Sequence, residues 1–562
     1  MSKSSSLRGI QLNRRQALLL SATAGLGAAL GGQASAMDST ETAAHEEPGN
    51  CSTPPAAVAN TQYGKVRGFV DGGVFTFKGI PYGQTTTGEN RWLPAKPPVP
   101  WNDEYRALIY GANCPQHLHD FTAIEQSFLQ DWDDGWLSED MLKLNVWTPS
   151  LSGSRAVMVY FHGGGFAFGS AYELPSHEGA QMARHQDVVQ VSVNHRLNVL
   201  GFLDVSEIGG PDYADSANVG LTDLVVALKW VRDNIANFGG DPNRVMIYGQ
   251  SGGGSKVTCL MAMPSAVGLF HRCIAQSGGG IHYPPVDHPF QSREIAKQMM
   301  VELGLGPNDM AALQKMEWPK LTTASDAAYA KINPRGAAPG AVGGGLRGAD
   351  WTATVDGRVL VARSFDRETS DLSKNIPIIF GSVSEEGMHY NSKPTEEQWR
   401  ATLARQYGDA KGNALADAMK KAHPEKSARL LSYGVGGVVM RNNVQRMVKL
   451  KYEQKGAPAY AYHFTWQSPM LEDAGAWHTS DLQFCFNNTR RCEQGTGNTP
   501  EAQTLAKKMA IAWANFAKTG DPSQPGLTWD PADPVRCQTM VWDNDSRMVD
   551  DPEGEVRKIL LS

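Results

Sequence analysis

Outside residues 1–36 the chain has no apolar run approaching the roughly 20 residues that a bilayer crossing requires. It has no basic stripe either. Lys and Arg number 52 against 58 Asp and Glu, a formal net charge of −6. That balance makes nucleic acid and anionic membrane poor partners, because neither would be drawn to an acidic surface. No unit repeats every 20–50 residues, which argues against solenoids and propellers. Cysteine is scarce and odd in number, seven in 562 residues. Pairs are possible in an oxidising compartment, but at least one thiol has no partner within the chain. The cluster Cys114, His117, His119 and Asp120 contains one cysteine and no second ligand group at a zinc-like spacing, so it is not read as a metal site.

What the chain does have is glycine (58) and proline (32), the mark of many turns and long connections. Hydrophobic residues make up 41% and charged residues 20%, enough for a sizeable core in a globular protein. At the N-terminus Arg14-Arg15 precedes an alanine- and glycine-rich apolar run, and Ala34-Ser35-Ala36 offers small side chains for cleavage. This is the layout of a bacterial twin-arginine signal, with a periplasmic or secreted product. Removing residues 1–36 takes Lys3, Arg8, Arg14 and Arg15 from the basic total, leaving 48 against 58 acidic residues, or −10. Residues 37–57 read as a polar leader with little to bury, and residues 58–562 as a single domain.

Within that domain five short runs have the composition of buried strands: 156–161, 188–193, 244–248, 376–380 and 458–464. Leu224, Leu228, Val231, Ile235 and Phe238 recur every three or four residues, one apolar helix face. A second helix is expected over 501–517. Strands alternating with helices indicate a three-layer α/β architecture with a mainly parallel sheet. The stretch 334–349 reads as a loop inside an insertion.

The segment 249–256, GQSGGGSK, fits two templates. A phosphate-binding loop needs Lys directly after its last Gly and Ser or Thr after that, whereas here the order is Ser255-Lys256. The nucleophile elbow G-x-S-x-G fits Gly249-Gln250-Ser251-Gly252-Gly253 without adjustment, with a strand before it and a helical pattern after it. His162-Gly163-Gly164-Gly165 follows strand 156–161, where α/β-hydrolases place oxyanion donors. An acid and a base then follow in the order that the template demands, Glu386 and His478. A neutral serine is a weak nucleophile, so His478 would take its proton and Glu386 would orient the imidazole.

From about residue 58 to about 545 the chain resembles the type-B carboxylesterases, the family of acetylcholinesterase and the bacterial para-nitrobenzyl esterases. The resemblance rests on ordered motifs, among them FKGIPYG (77–83), SEDMLKLNVW (138–147), HGGGF (162–166), NHRLNVLGFL (194–203), EEG (385–387) and HTSDLQF (478–484). It implies an α/β-hydrolase fold and an ester hydrolase acting through an acyl-enzyme, with no metal or organic cofactor and small-molecule esters as substrates. It assigns Ser251, Glu386 and His478 as the triad and Gly164, Gly165 and Gly252 as the oxyanion hole. Glu386, not Glu385, is selected as the acid because it directly precedes glycine. Ser277 resembles a serine that hydrogen-bonds the acid, and Arg91 with Glu139 a structural ion pair. Met141 stands where many relatives carry a cysteine, which leaves Cys114 without a partner. Cys485 and Cys492 are close enough in sequence to close a small loop, as a disulfide or as two thiols. Trp132 and Trp136 fall where the family lines its entrance, as a binding wall or as loop anchors. A non-catalytic recognition protein and an amidase or peptidase are the alternatives on the same fold. The intact triad argues against the first, and the esterase character of the resembling members against the second.

Overall fold

The computed structural model describes residues 57–117, 128–279, 290–333, 351–387 and 393–562. The signal segment, the leader up to residue 56, Cys51, His119, Asp120 and the 334–349 loop lie outside the described residues. Ala57, placed at the end of the leader from sequence, is buried and accepts a hydrogen bond from Gly68 N–H.

In chain order the strands are β1 (Val58–Thr61), β2 (Gly64–Arg67), β3 (Phe69–Asp71), β4 (Val74–Pro81), β5 (Tyr105–Arg106), β6 (Lys143–Thr148) and β7 (Arg155–Phe161). Then come β8 (Val189–Val193), β9 (Gly240–Gln250), β10 (Arg272–Gln276), β11 (Ile378–Val383), β12 (Ala459–Phe464), β13 (Gln538–Trp542) and β14 (Arg547–Asp550). Eleven of them form one sheet in the order β14-β13-β12-β11-β10-β9-β7-β8-β6-β4-β3. From β13 to β8 every pairing is parallel, and the antiparallel pairings lie at the two margins. The α/β-hydrolase expectation holds.

Alternation along β7 shows why its run is apolar throughout. Val157, Val159 and Phe161 enter one core with Leu224, Leu228 and Val231 of the helix Val219–Asn234. Ala156, Met158 and Tyr160 enter the core on the other face with Met509, Trp513 and Phe516 of the helix Pro500–Thr519. A strand covered on both faces has no solvent side for polar residues. Ile235 and Phe238, read from sequence as the end of the first helix, continue it as a 3₁₀ turn.

Parallel strands all end at one edge, and in open α/β sheets ligands collect outside the carboxyl ends. The segments after β7, β9, β10, β11 and β12 therefore share that edge. They carry His162–Gly165, Ser251, Ser277, Glu386 and His478 respectively.

No disulfide joins the described cysteines, and Cys114, Cys259, Cys273, Cys485, Cys492 and Cys537 are all buried thiols. The Cys485–Cys492 bridge is thus not formed. Cys485 Sγ faces the Gln276 amide at 3.6 Å, and the intervening loop is closed by the backbone bonds Asn488 N–H to Gln483 O and Cys492 N–H to Asn488 O. Cys114 sits unbridged against the Leu197 N–H at 3.2 Å. Burial pushes its thiol well above the usual range and the Cys492 thiol up to about 12. Low thiolate content and burial both slow alkylation. Peptide mapping of the non-reduced protein should find these six cysteines unmodified until denaturant is added and then alkylated without reductant; a Cys485–Cys492 bridged peptide would contradict this.

Candidate active site

Ser251 occupies the turn between β9 and the helix Gly252–Leu260. Its backbone has φ 58° and ψ −123°, a region that non-glycine residues avoid at about 1–3 kcal/mol. The turn survives because its surroundings leave it no alternative. Ser251 N–H donates to Gln276 O at 2.8 Å, and Ser255 N–H donates to Ser251 O at 3.1 Å. Glycine at 252 is a packing requirement: a methyl group there would stand 2.1 Å from Gly165 O. The elbow and the HGGG loop are thus in van der Waals contact, an arrangement anticipated by the pairing of Phe161 with Gly249 on adjacent strands.

Gly164 has φ +76°, which turns its peptide units away from the strand direction. Its carbonyl accepts from Ala167 N–H and Phe168 N–H, both at 3.2 Å. Among the described residues, the N–H groups of Gly163, Gly164, Gly165 and Gly252 donate no hydrogen bond. Undonated N–H groups on a loop packed against a strained serine are what a developing oxyanion needs.

His478 and Glu386 meet directly, Nδ1–H donating to Oε2 at 2.5 Å. The second Glu386 oxygen accepts from Val383 N–H at 2.9 Å. Glu385, adjacent in sequence, turns elsewhere. Its carboxylate pairs with Lys426 Nζ at 2.7 Å and accepts from Ala476 N–H at 2.7 Å, so it anchors the loop leading to His478. Arg91 and Glu139 form the expected buried ion pair, with Arg91 Nε 2.8 Å from Glu139 Oε2.

One expectation needs correction. Ser277 lies at the edge but makes no hydrogen bond with Glu386: its buried Oγ has no partner. The Glu386 oxygens are taken by Val383 N–H and His478 instead. The residue preceding the serine also reaches the imidazole. Gln250 Nε2 lies 3.2 Å from His478 Nε2 and 3.4 Å from Nδ1, whereas no hydrogen bond joins Ser251 Oγ to the imidazole. Asp481, inside the HTSDLQF motif, was not singled out from sequence. It is a buried carboxyl held by Tyr462 Oη at 2.5 Å and Gln276 Nε2 at 3.0 Å.

Burial alone would lower the His478 pKa, but the Glu386 charge and hydrogen bond, helped by Asp481, outweigh it and raise the pKa above the ordinary 6.5. A general base works in its neutral form. The kcat/KM for ester hydrolysis should therefore be full at alkaline pH and be lost as pH falls through a midpoint above 6.5. A rate–pH profile with its midpoint below that value, or flat from about pH 5 to 8, would contradict the arrangement.

Trp132 and Asp134 lie beside a cleft of about 540 Å³ that also includes Tyr110, Tyr172 and Lys78. Trp136 is exposed. Among the described residues no group of His, Cys, Asp and Glu is arranged to hold a metal ion. None of their helices is long and apolar enough to cross a membrane.

The family model described as "Carboxylesterase family" matches residues 55–556. The chain is 29% identical to the para-nitrobenzyl esterase of Bacillus subtilis, over 90% of this chain and 98% of that protein. It is 31% identical to the phenmedipham hydrolase of Pseudarthrobacter oxydans, over 84% of this chain and 91% of that one. Among solved structures it is similar to an esterase from Clostridium hathewayi, with a TM-score of 0.73 and 32% identity, covering 89% of this chain and 97% of that one.

Proposed function

We propose a mechanism from one premise: the chain belongs to the carboxylesterase family and is a hydrolase of small-molecule carboxylic esters. Ser251 Oγ attacks the ester carbonyl carbon while His478 Nε2 takes its proton. The carbonyl π pair moves onto oxygen, which the N–H groups of Gly164, Gly165 and Gly252 receive. Glu386 holds the Nδ1–H tautomer and stabilises the imidazolium that forms. His478 then gives its proton to the departing alcohol, leaving an acyl group on Ser251. Water, deprotonated by the same nitrogen, releases the acid and regenerates the serine.

The observation that carries this reading is the His478–Glu386 contact of 2.5 Å at the sheet edge that also holds the Ser251 turn. The Gln250 amide now faces the nitrogen that must accept the proton. Catalytic hydrogen bonds commonly tighten only as substrate enters, so the imidazole exchanges the amide for Ser251 Oγ on that step. Rapid mixing with a chromogenic short-chain ester should give a burst of alcohol close to one equivalent per protein when deacylation is slow. Turnover without any covalent intermediate would reject the scheme.

We also propose export. The support is the Arg14-Arg15 pair, the apolar run after it and Ala34-Ser35-Ala36. Replacing both arginines by lysine should retain the unprocessed chain in the cytoplasm. Processing and export unaffected by that change would point to another route.

A further inference from the structure

The lysine that spoiled the phosphate-loop reading has a place in the fold. Lys256 stands in the first turns of the helix after the elbow, and its side chain is completely buried. Its Nζ donates to His162 O at 3.1 Å and to Gly163 O at 3.5 Å, and lies 5.6 Å from the centre of the Phe166 ring. Both acceptors belong to the HGGG loop. A long amine carried into a protein interior is costly unless its N–H groups find partners, and here the partners are two successive carbonyls of that loop.

A peptide unit is planar and trans, so its C=O and N–H point in opposite directions. The Gly163 carbonyl shares its unit with Gly164 N–H, and the His162 carbonyl shares its unit with Gly163 N–H. A donor that holds these oxygens on the inner side therefore turns the two N–H groups to the outer side. Drawing electron density toward the carbonyl oxygen also makes the N–H across the same amide a stronger donor. The carbonyl of the following unit, which carries Gly165 N–H, is held in turn by the N–H groups of Ala167 and Phe168.

We propose that Lys256 is a positioning residue for the oxyanion hole, clamping the inner carbonyls of the HGGG loop so that its N–H groups face the reacting carbonyl. This rests on the reading that those N–H groups receive the oxyanion. Burial pushes the Lys256 pKa down to about 7, against the pull of Glu173, whose own carboxyl burial pushes up to about 8. The amine has N–H groups to donate in both protonation states, so the clamp does not depend on its charge.

The test compares wild type with Lys256→Met, using a trifluoromethyl ketone and the matching trifluoromethyl carbinol. The ketone forms a bond from Ser251 Oγ to its carbonyl carbon, with the π pair moving to oxygen and the Oγ proton to His478. The carbinol has the same shape and cannot be attacked. Lys256→Met should lower kcat and weaken ketone binding by a similar factor of about 10–100, less than the full loss of a donor. Carbinol affinity and KM should stay within about twofold, because only the tetrahedral species uses the hole. Should Lys256→Met fail to fold, Lys256→Gln keeps a shorter neutral donor and is expected to lose at least about threefold in kcat and ketone affinity with carbinol affinity unchanged. Folded variants that keep both kcat and ketone affinity would overturn the proposal, leaving Lys256 as a stability feature only. Failure of the underlying reading looks different: wild type itself would then bind ketone no more tightly than carbinol.

Discussion

Ser251→Ala is expected to lower kcat by roughly 10⁵–10⁶-fold while the protein stays folded, because loss of a triad nucleophile removes about as much as loss of the whole triad. Some catalysis remains. The oxyanion donors and substrate binding do not depend on the hydroxyl, and together they are worth about 10³–10⁴ over water. Alanine also keeps the Cβ that the turn already accommodates, so the left-handed backbone at φ 58° has no new clash to relieve. Steady-state kinetics with a thermal melt on the same preparation checks both halves. A folded Ser251→Ala protein with near-normal turnover would remove the serine from the mechanism.

The second large effect separates two adjacent carboxylates. Glu386→Gln should lower kcat by about 10³–10⁴-fold, since an amide cannot stabilise the imidazolium and holds the wrong tautomer. Glu385→Gln should leave kcat within about tenfold but cost roughly 1–3 kcal/mol of stability, as a buried network loses its charged acceptor. The difference follows from where each side chain ends: Glu386 Oε2 on His478 Nδ1, Glu385 on Lys426 Nζ and the Ala476 N–H. Urea melts and kinetics on the pair should rank oppositely, Glu386→Gln being the worse enzyme and Glu385→Gln the less stable protein. The reverse order would move the acid to Glu385.

The central sheet was legible where burial on both faces leaves an unbroken apolar run, as over residues 156–161 of β7. It was less so in β11, read over 376–380 but running from Ile378 to Val383. Pro377 precedes the strand, and Gly381 and Ser382 continue it with small residues that break the apolar signal; Ser382 Oγ is satisfied inside by His463 Nδ1 at 3.1 Å. The helices Glu396–Tyr407, Asp409–Ala422 and Ala428–Glu453 were not read at all. In the last of these, buried Arg441 pairs with Glu553 at 2.9 Å, and Lys451 Nζ holds Ser373 O and Lys374 O. Cations facing inward erase the apolar stripe on which helix recognition depends.

The site divides in the same way. Ser251, Glu386 and His478 follow from motif order, because an elbow dictates what must come after it. The loss of the expected Ser277 bond, the Gln250 contact with the imidazole and the Lys256 clamp depend on where side chains end in three dimensions. The last two leave one trace in the sequence, the string GQSGGGSK, in which Gln250 and Lys256 lie on either side of Ser251.

An acyl group should reside on Ser251 during turnover, and acid-quenched mass spectrometry of the protein mixed with a slowly deacylated ester tests this directly. A mass increase of one acyl group is expected, mapped to the peptide containing Ser251 and absent from Ser251→Ala. Steady turnover with no adduct on any peptide, or an adduct on another residue that forms and decays at the turnover rate, would contradict it.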